Sequence, residues 1–194
     1  MKHEVTSLNT KKLLAASLRK QMEKKPFSKI TVSEIVKDCG VNRKTFYYHF
    51  EDIYALLKWM LEQDAVQVLH GFSLLQDYRD AILFVLDYVE KNQTIINCIY
   101  NSVGLDDLRR FFYDDFFDVM DKLIREVEHD AGLTLPKDFR KFLCQFYTSS
   151  LAGLLLDVIQ GKVTLTHQEM VDNLSQIFRF SLTRIIQEKG NAES

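Results

Sequence analysis

Apolar residues recur every three or four positions along almost the whole chain. This is the spacing of helices with one buried face, and nowhere is the alternation of a strand sustained. The first helix is expected from about Asn9 to Lys24. Leu14, Leu18 and Met22 lie four apart on one face, and Pro26 ends the helix. Phe27 and Ile30 read as core plugs in a short connection. In ITVSEIVKDCG (30–40), Thr31 with Glu34 three residues on is a capping box that starts a second helix. Val32, Ile35 and Val36 form its apolar face, and Gly40 suits the left-handed conformation that stops it. Only Cys39-Gly40-Val41 separate it from a third helix, capped by Asn42 and closed by Phe50. Further helices are expected over about 52–70 (stopped by Gly71), 79–92, 94–103, 105–132 (stopped near Gly132), 136–161 and 166–189. The last starts at a second capping box, Thr166 with Glu169. No internal repeat is found. The expectation is an all-α protein of about nine helices, with a three-helix helix-turn-helix head over 1–50 and a larger helical bundle over 51–194.

Composition narrows the class. With 46% apolar and 27% charged residues, the chain has the balance of a soluble globular protein. No uninterrupted apolar run approaches the roughly 20 residues of a membrane helix, and MKHEVTSLNTKK lacks a signal peptide's apolar stretch, so the cytoplasm is expected and no membrane partner. Cys39, Cys98 and Cys144 are odd in number and far apart. They read as small buried thiols rather than a disulfide framework or a metal site. The five histidines show no ligand spacing, and no G-x-S-x-G, phosphate-binding loop or H-E-x-x-H occurs. No metal, cofactor or enzymatic activity is therefore expected.

The charge is unevenly spread. Residues 1–50 carry 11 Lys/Arg against 4 acids, whereas the remainder carries 14 against 23. A basic head on an acidic body suggests that the head meets a polyanion; a chance gradient on a solvated surface is the bland alternative. Two short helices joined by a three-residue turn with a glycine form a helix-turn-helix, whose second helix lies in the DNA major groove. On a helical wheel VNRKTFYYHF (41–50) resolves into two faces. Phe46 and Phe50 share the core face, and Arg43, Lys44, Thr45, Tyr47, Tyr48 and His49 remain outside. Arg and Lys suit guanine edges or phosphates, and Tyr and Thr suit phosphates or a thymine methyl. His49 on its own would also fit a packing histidine.

Residues 9–55, above all ITVSEIVKDCGVNRKTFYYHFEDIYALL, resemble the N-terminal DNA-binding domain of TetR-family transcription regulators. Nearly all of that family's run I-T-V-x-x-I-x-x-x-x-G-V-x-x-x-T-F/L-Y-x-H-F is present. The resemblance implies a ligand-responsive homodimer, most often a repressor, that reads a near-palindromic DNA operator and senses an unknown small-molecule effector in its C-terminal bundle. By the same resemblance Arg43 and Lys44 read bases, and Thr45, Tyr47 and His49 meet phosphates or base edges. Thr31 holds a phosphate where exposed backbone N–H groups favour an anion. Asn42 and Tyr48 complete the expected set. Ile53 departs from the family, which often has a phosphate-binding lysine there; Lys29, just before the second helix, could compensate. The run FYYHFEDIYALLKWMLEQ (46–63), with Trp59, is similar to a subgroup that includes regulators of dihydroxyacetone-kinase operons. The alternative function is a protein-binding co-regulator or co-activator with weakened DNA contacts.

Two regions of the bundle stand out. In FFYDDFFDVMD (111–121), Asp114, Asp118 and Asp121 form an acidic stripe, a solvated face or a cation-recognising one. Its aromatic residues read as core or as ligand wall. Since the family places its pocket in the bundle, the expected pocket residues are Trp59, Gln63, Phe84, Tyr88, Phe112, Phe116, Gln145 and Tyr147. The helix over 136–161 is too apolar for a single covered stripe, and Ser149, Ala152 and Gly153 permit close approach. Leu151, Leu154, Leu155 and Val158, with Leu174, Ile177, Phe178, Ser181 and Ile185 of the last helix, are the expected dimer interface. Burial within one chain is the alternative.

Overall fold

The computed structural model describes residues 2–66 and 74–192, and the chain is all-α. It forms two compact units, one of residues 1–67 with 92–108 and one of 68–91 with 109–194. The unit that contains the head therefore extends past residue 50.

In the first unit α1 spans Lys2–Met22, starting well before its apolar stripe because no proline or glycine interrupts the residues ahead of it. Leu14, Leu18 and Met22 are buried. A short 3-10 turn, Phe27–Lys29, buries Phe27. It leads to α2 (Val32–Cys39), α3 (Arg43–His49) and α4 (Ile53–Leu61). α4 widens into a π-turn over Glu62–Val66. The expected continuation to residue 70 and the stop at Gly71 lie outside the described residues. α1 packs on α2, α3 and α4, burying Ile35, Val36, Phe46, Leu56 and Leu57 with its own stripe. Arg19 of α1 pairs with Asp64 of the π-turn and donates to Asn92 Oδ1 at 2.7 Å.

The second unit comprises α5 (Leu74–Lys91), most of α6 (Gln93–Ala131), α7 (Lys137–Ile159) and α8 (His167–Lys189). The helices expected over 94–103 and 105–132 are one. Gly104 is helical, and a glycine inside a helix costs only about 1 kcal/mol relative to alanine, which the surrounding turns absorb. Two two-residue strands, Leu133–Thr134 and Asn191–Ala192, pair antiparallel beside the α6–α7 turn. By length and composition alone α7 is apolar enough to cross a membrane, although charged and polar residues interrupt it. Leu143, Cys144, Tyr147, Thr148, Ala152, Leu155, Leu156 and Ile159 are nevertheless buried in the unit, which accounts for the apolarity of a core helix. All three cysteines are unpaired, and burial pushes the Cys144 thiol up to about 11.

One buried ion pair fixes the α6–α7 corner. Glu128 Oε1 accepts from the Leu135 N–H at 2.5 Å and from Arg140 at 2.9 and 3.2 Å, and both side chains are largely shielded from water. Removing one partner of such a pair leaves an uncompensated charge and costs about 3–5 kcal/mol. Arg140→Met is therefore expected to lower the Tm by roughly 6–20 °C for a chain of this size. Arg140→Met combined with Glu128→Gln, which keeps an acceptor for Leu135, recovers most of that loss. Differential scanning calorimetry of the two variants checks this.

Candidate nucleic-acid interface and apolar cavity

Local chemistry builds the head. Thr31 caps α2: its hydroxyl accepts from the Glu34 N–H at 3.4 Å, while Glu34 Oε2 accepts from the Thr31 N–H at 2.9 Å and from its hydroxyl at 2.8 Å. The Lys25 ammonium, 2.6 Å from Glu34, and then these Thr31 bonds hold the Glu34 carboxyl down at about 2. Gly40 takes φ 67°, the left-handed stop, and the Val41 N–H returns to the Val36 carbonyl at 3.0 Å. Asn42 Oδ1 then accepts from the Thr45 N–H at 2.9 Å and its hydroxyl at 3.1 Å, starting α3.

With only seven residues, α3 is too short to persist alone. Phe46, with no exposed surface, and Phe50 hold it in place. The opposite side is open. Arg43, Lys44, Tyr47 and Tyr48 are exposed, Tyr48 by 71%, while Thr45 and His49 are half-buried. Arg43 reaches the Tyr47 hydroxyl at 3.5 Å, and Arg43, Lys44 and Lys29 have no ion-pair partner among the described residues. Lys11 of α1 lies over the Phe50 and Trp59 rings at 5.5 and 5.8 Å. Burial, then the Lys11 charge, pushes His49 below its ordinary value.

The second unit holds a partly open cavity of about 100 Å³. Ile82, Val85 and Leu86 of α5, Phe116, Val119, Met120 and Leu123 of α6, Leu151, Leu154, Leu155 and Val158 of α7, and Met170, Leu174 and Phe178 of α8 line it, with Tyr78 and Ala81. No charged side chain is in that wall, which suits an uncharged apolar guest.

Residues 13–60 match the family described as "Bacterial regulatory proteins, tetR family", and residues 76–180 match "Transcriptional regulator C-terminal region", more than half of the chain. This chain belongs to the TetR family. It is a DNA-binding transcriptional regulator that responds to a ligand, and not an enzyme. It is 24% identical over 156 residues, 80% of this chain and 82% of the relative, to the HTH-type dhaKLM operon transcriptional activator DhaS of Lactococcus lactis subsp. lactis (strain IL1403). Its fold is that of a solved structure described as the dihydroxyacetone kinase operon activator DhaS, at TM-score 0.66 and 22% identity, covering 94% of this chain and 98% of the other. A TetR transcriptional regulator from Streptococcus agalactiae 2603V has the same fold at TM-score 0.55 and 23% identity, covering 96% and 98%.

Within this TetR-family head, Lys29, Thr31, Asn42, Arg43, Lys44, Thr45, Tyr47, Tyr48 and His49 fall on α3 or the residues that frame α2. Thr31, Asn42 and Thr45 spend their oxygens on helix starts. Beside Ile53, Asp52 Oδ1 accepts from the Ala55 N–H at 2.8 Å, so one of the two acids there serves as a helix cap. The expected pocket residues scatter. Phe116 lines the cavity. Phe84 and Tyr88 are half-buried on α5, their rings 6.5 Å apart. Tyr147 is core, its hydroxyl 2.5 Å from Ser181 Oγ, and Gln145 is exposed. Trp59 and Gln63 belong to the first unit, and the Phe112 side chain lies outside the described residues. Of the expected interface, Leu151, Leu154, Leu155, Val158, Leu174 and Phe178 face the cavity, Ser181 meets Tyr147, Ile185 packs on the core, and Ile177 is exposed. Sequence reasoning missed Lys11, and it missed Phe142, Phe146 and Phe180, which are the strongly exposed rings of α7 and α8. In the acidic stripe, Asp121 is paired with Arg125 at 2.7 Å and Asp118 is exposed beside Lys122.

The capping box carries a pH signature. The Glu34 carboxyl lies near 2 in the folded head against about 4.5 unfolded, so its contribution is complete above about pH 4.5 and is lost as the pH falls toward 2. Thermal melts between pH 2.5 and 6 are expected to show a steeper acid loss in the natural chain than in Glu34→Gln, with the two profiles running parallel above pH 5.

Proposed function

We propose that the chain is a cytoplasmic homodimer whose two α3 helices read successive major grooves of a near-palindromic operator. Residues 1–50 bind DNA and 51–194 sense the effector and dimerise. The open face of α3 carries this reading: two exposed cations and two exposed tyrosines on a helix anchored from behind by Phe46 and Phe50. Large rings left in water mark a surface that meets a partner, and the basic charge of the head fits a polyanion. Arg43 and Lys44 contact base edges, while Lys29, Tyr47, Tyr48 and the partly shielded Thr45 and His49 contact phosphates or base edges. Thr31 and Asn42 present the N-terminal N–H groups of α2 and α3 to the backbone.

The effector is a small uncharged molecule that enters the apolar cavity. At about 100 Å³ the cavity is below the roughly 300 Å³ at which ligand pockets begin. A drug-sized guest must therefore part the α5, α6, α7 and α8 walls. Such a guest binds the parted and closed states unequally, which is the requirement for shifting between them. Dimerisation joins α7 and α8 to their copies through Phe142, Phe146, Ile177 and Phe180, with the expected interface residues behind them.

Repression was the expected sign of regulation. The activator names of the relatives favour activation as a second reading, and a reporter fused to the operator separates the two by expression in a deletion strain.

Arg43→Ala or Lys44→Ala is expected to weaken operator binding roughly 5- to 150-fold, with helical content and oligomeric state unchanged. Fluorescence anisotropy at fixed salt reads the loss, and unaltered affinity in both variants would remove these residues from the interface. Phe146→Glu with Phe180→Glu is expected to yield monomers in analytical ultracentrifugation that retain the fold and lose the operator.

A further inference from the structure

We propose that Asp87, Glu90 and His167 form a binding site for a divalent transition-metal ion that ties α5 to the first turn of α8. Asp87 and Glu90 are three apart on α5 and so share one face. His167 is the first residue of α8, held there by the Thr166–Glu169 capping box. One ligand atom from each of the three lies within 4.8 Å of the others. His167 Nδ1 is 3.2 Å from Asp87 Oδ1 and 3.9 Å from Glu90 Oε2. Metal–ligand bonds of about 2.1 Å place neighbouring ligand atoms about 3.0 Å apart at right angles, about 3.4 Å at the tetrahedral angle and about 4.2 Å in line. An ion therefore fits between these atoms with little rearrangement.

The donor set selects the ion. Two carboxylates match the charge of a dication, and an imidazole nitrogen favours zinc, cobalt or nickel over magnesium and calcium. The competing cation is Lys91, which lies 3.8 Å from Asp87 Oδ2, the oxygen opposite the one facing His167. Oδ1 thus remains available to the ion. Glu90 is the most exposed of the three and His167 the least, so the site is open to entering metal while its nitrogen ligand is fixed. Three protein ligands leave the remaining positions to water.

The position gives the site a consequence. Leu86, next to Asp87, and Met170, three residues after His167, both line the apolar cavity. An ion across this seam holds two cavity walls together, stabilising the closed form of the second unit.

The test uses the full-length protein, stripped with a chelator that is then removed, and cobalt(II) or zinc alone. Cobalt is expected to bind one ion per chain with visible d–d bands, to be displaced by zinc, and to raise the Tm in proportion to occupancy. Asp87→Asn and His167→Gln each leave the capping box intact and are expected to lower cobalt affinity at least 10-fold and to remove most of the zinc-induced Tm shift. Unchanged affinity in both variants, or no binding at submillimolar cobalt, overturns the proposal. Operator binding is not the readout, so failure here is separate from failure of the regulatory reading.

Discussion

The burial of Phe46 and Phe50 is the interaction on which the head depends. A seven-residue helix has too few internal hydrogen bonds to offset the ordering of its backbone. α3 exists because two rings, four apart, lock one side of it against α1 and its neighbours. That anchoring fixes the direction of the other side. Arg43, Lys44, Tyr47 and Tyr48 can then remain in water as a preset surface rather than collapsing inward. Lys11 extends the same cluster by resting on the outer faces of Phe50 and Trp59, a contact of about 0.5–1 kcal/mol at a site of this exposure. Burial and, after it, the positive charge of Lys11 keep His49 below its ordinary value, joining anchoring and electrostatics in one place.

Much of the head was legible because its signals are local. The Thr31–Glu34 capping box, the Gly40 stop and the Asn42 cap span at most four residues and read directly from their spacing. The two faces of α3 follow from helical periodicity alone. Lys11 over Phe50 was not legible, since nothing within either segment points to the other. Gly104 misled for the opposite reason: a local breaker signal was overridden by the packing of a long helix.

The bundle was less legible, and for a definite physical cause. α7 is apolar on more than one side, so periodicity does not say which side meets the cavity, the core or water. Leu151, Leu154, Leu155 and Val158 fit the pattern of an interface, and they line the cavity. The exposed pair, Phe142 and Phe146, lies nine and five residues before Leu151, where the chain also carries Lys141 and Gln145 and so reads as ordinary amphipathic surface. Trp59 was drawn toward a pocket by its type, whereas its ring packs at 5.9 Å on Phe50 in the other unit.

Apolar burial holds α5 against α8 but is nondirectional, so it does not by itself choose one register of the two helices. The polar pairs at the seam supply that choice. Arg79 with Asp172 and Asp87 with His167 each join the two helices, yet all four side chains are partly solvated. Exposed pairs of this kind contribute about 0–1 kcal/mol each. The closed arrangement is thus specified at the edges by weak contacts around a wall that has no charged group of its own. The polar pairs add little to the apolar burial that opposes parting, so a guest shifts the populations only by as much as it binds the two arrangements unequally. Stronger pairing there would raise the stability of the bundle and narrow its choice of arrangements.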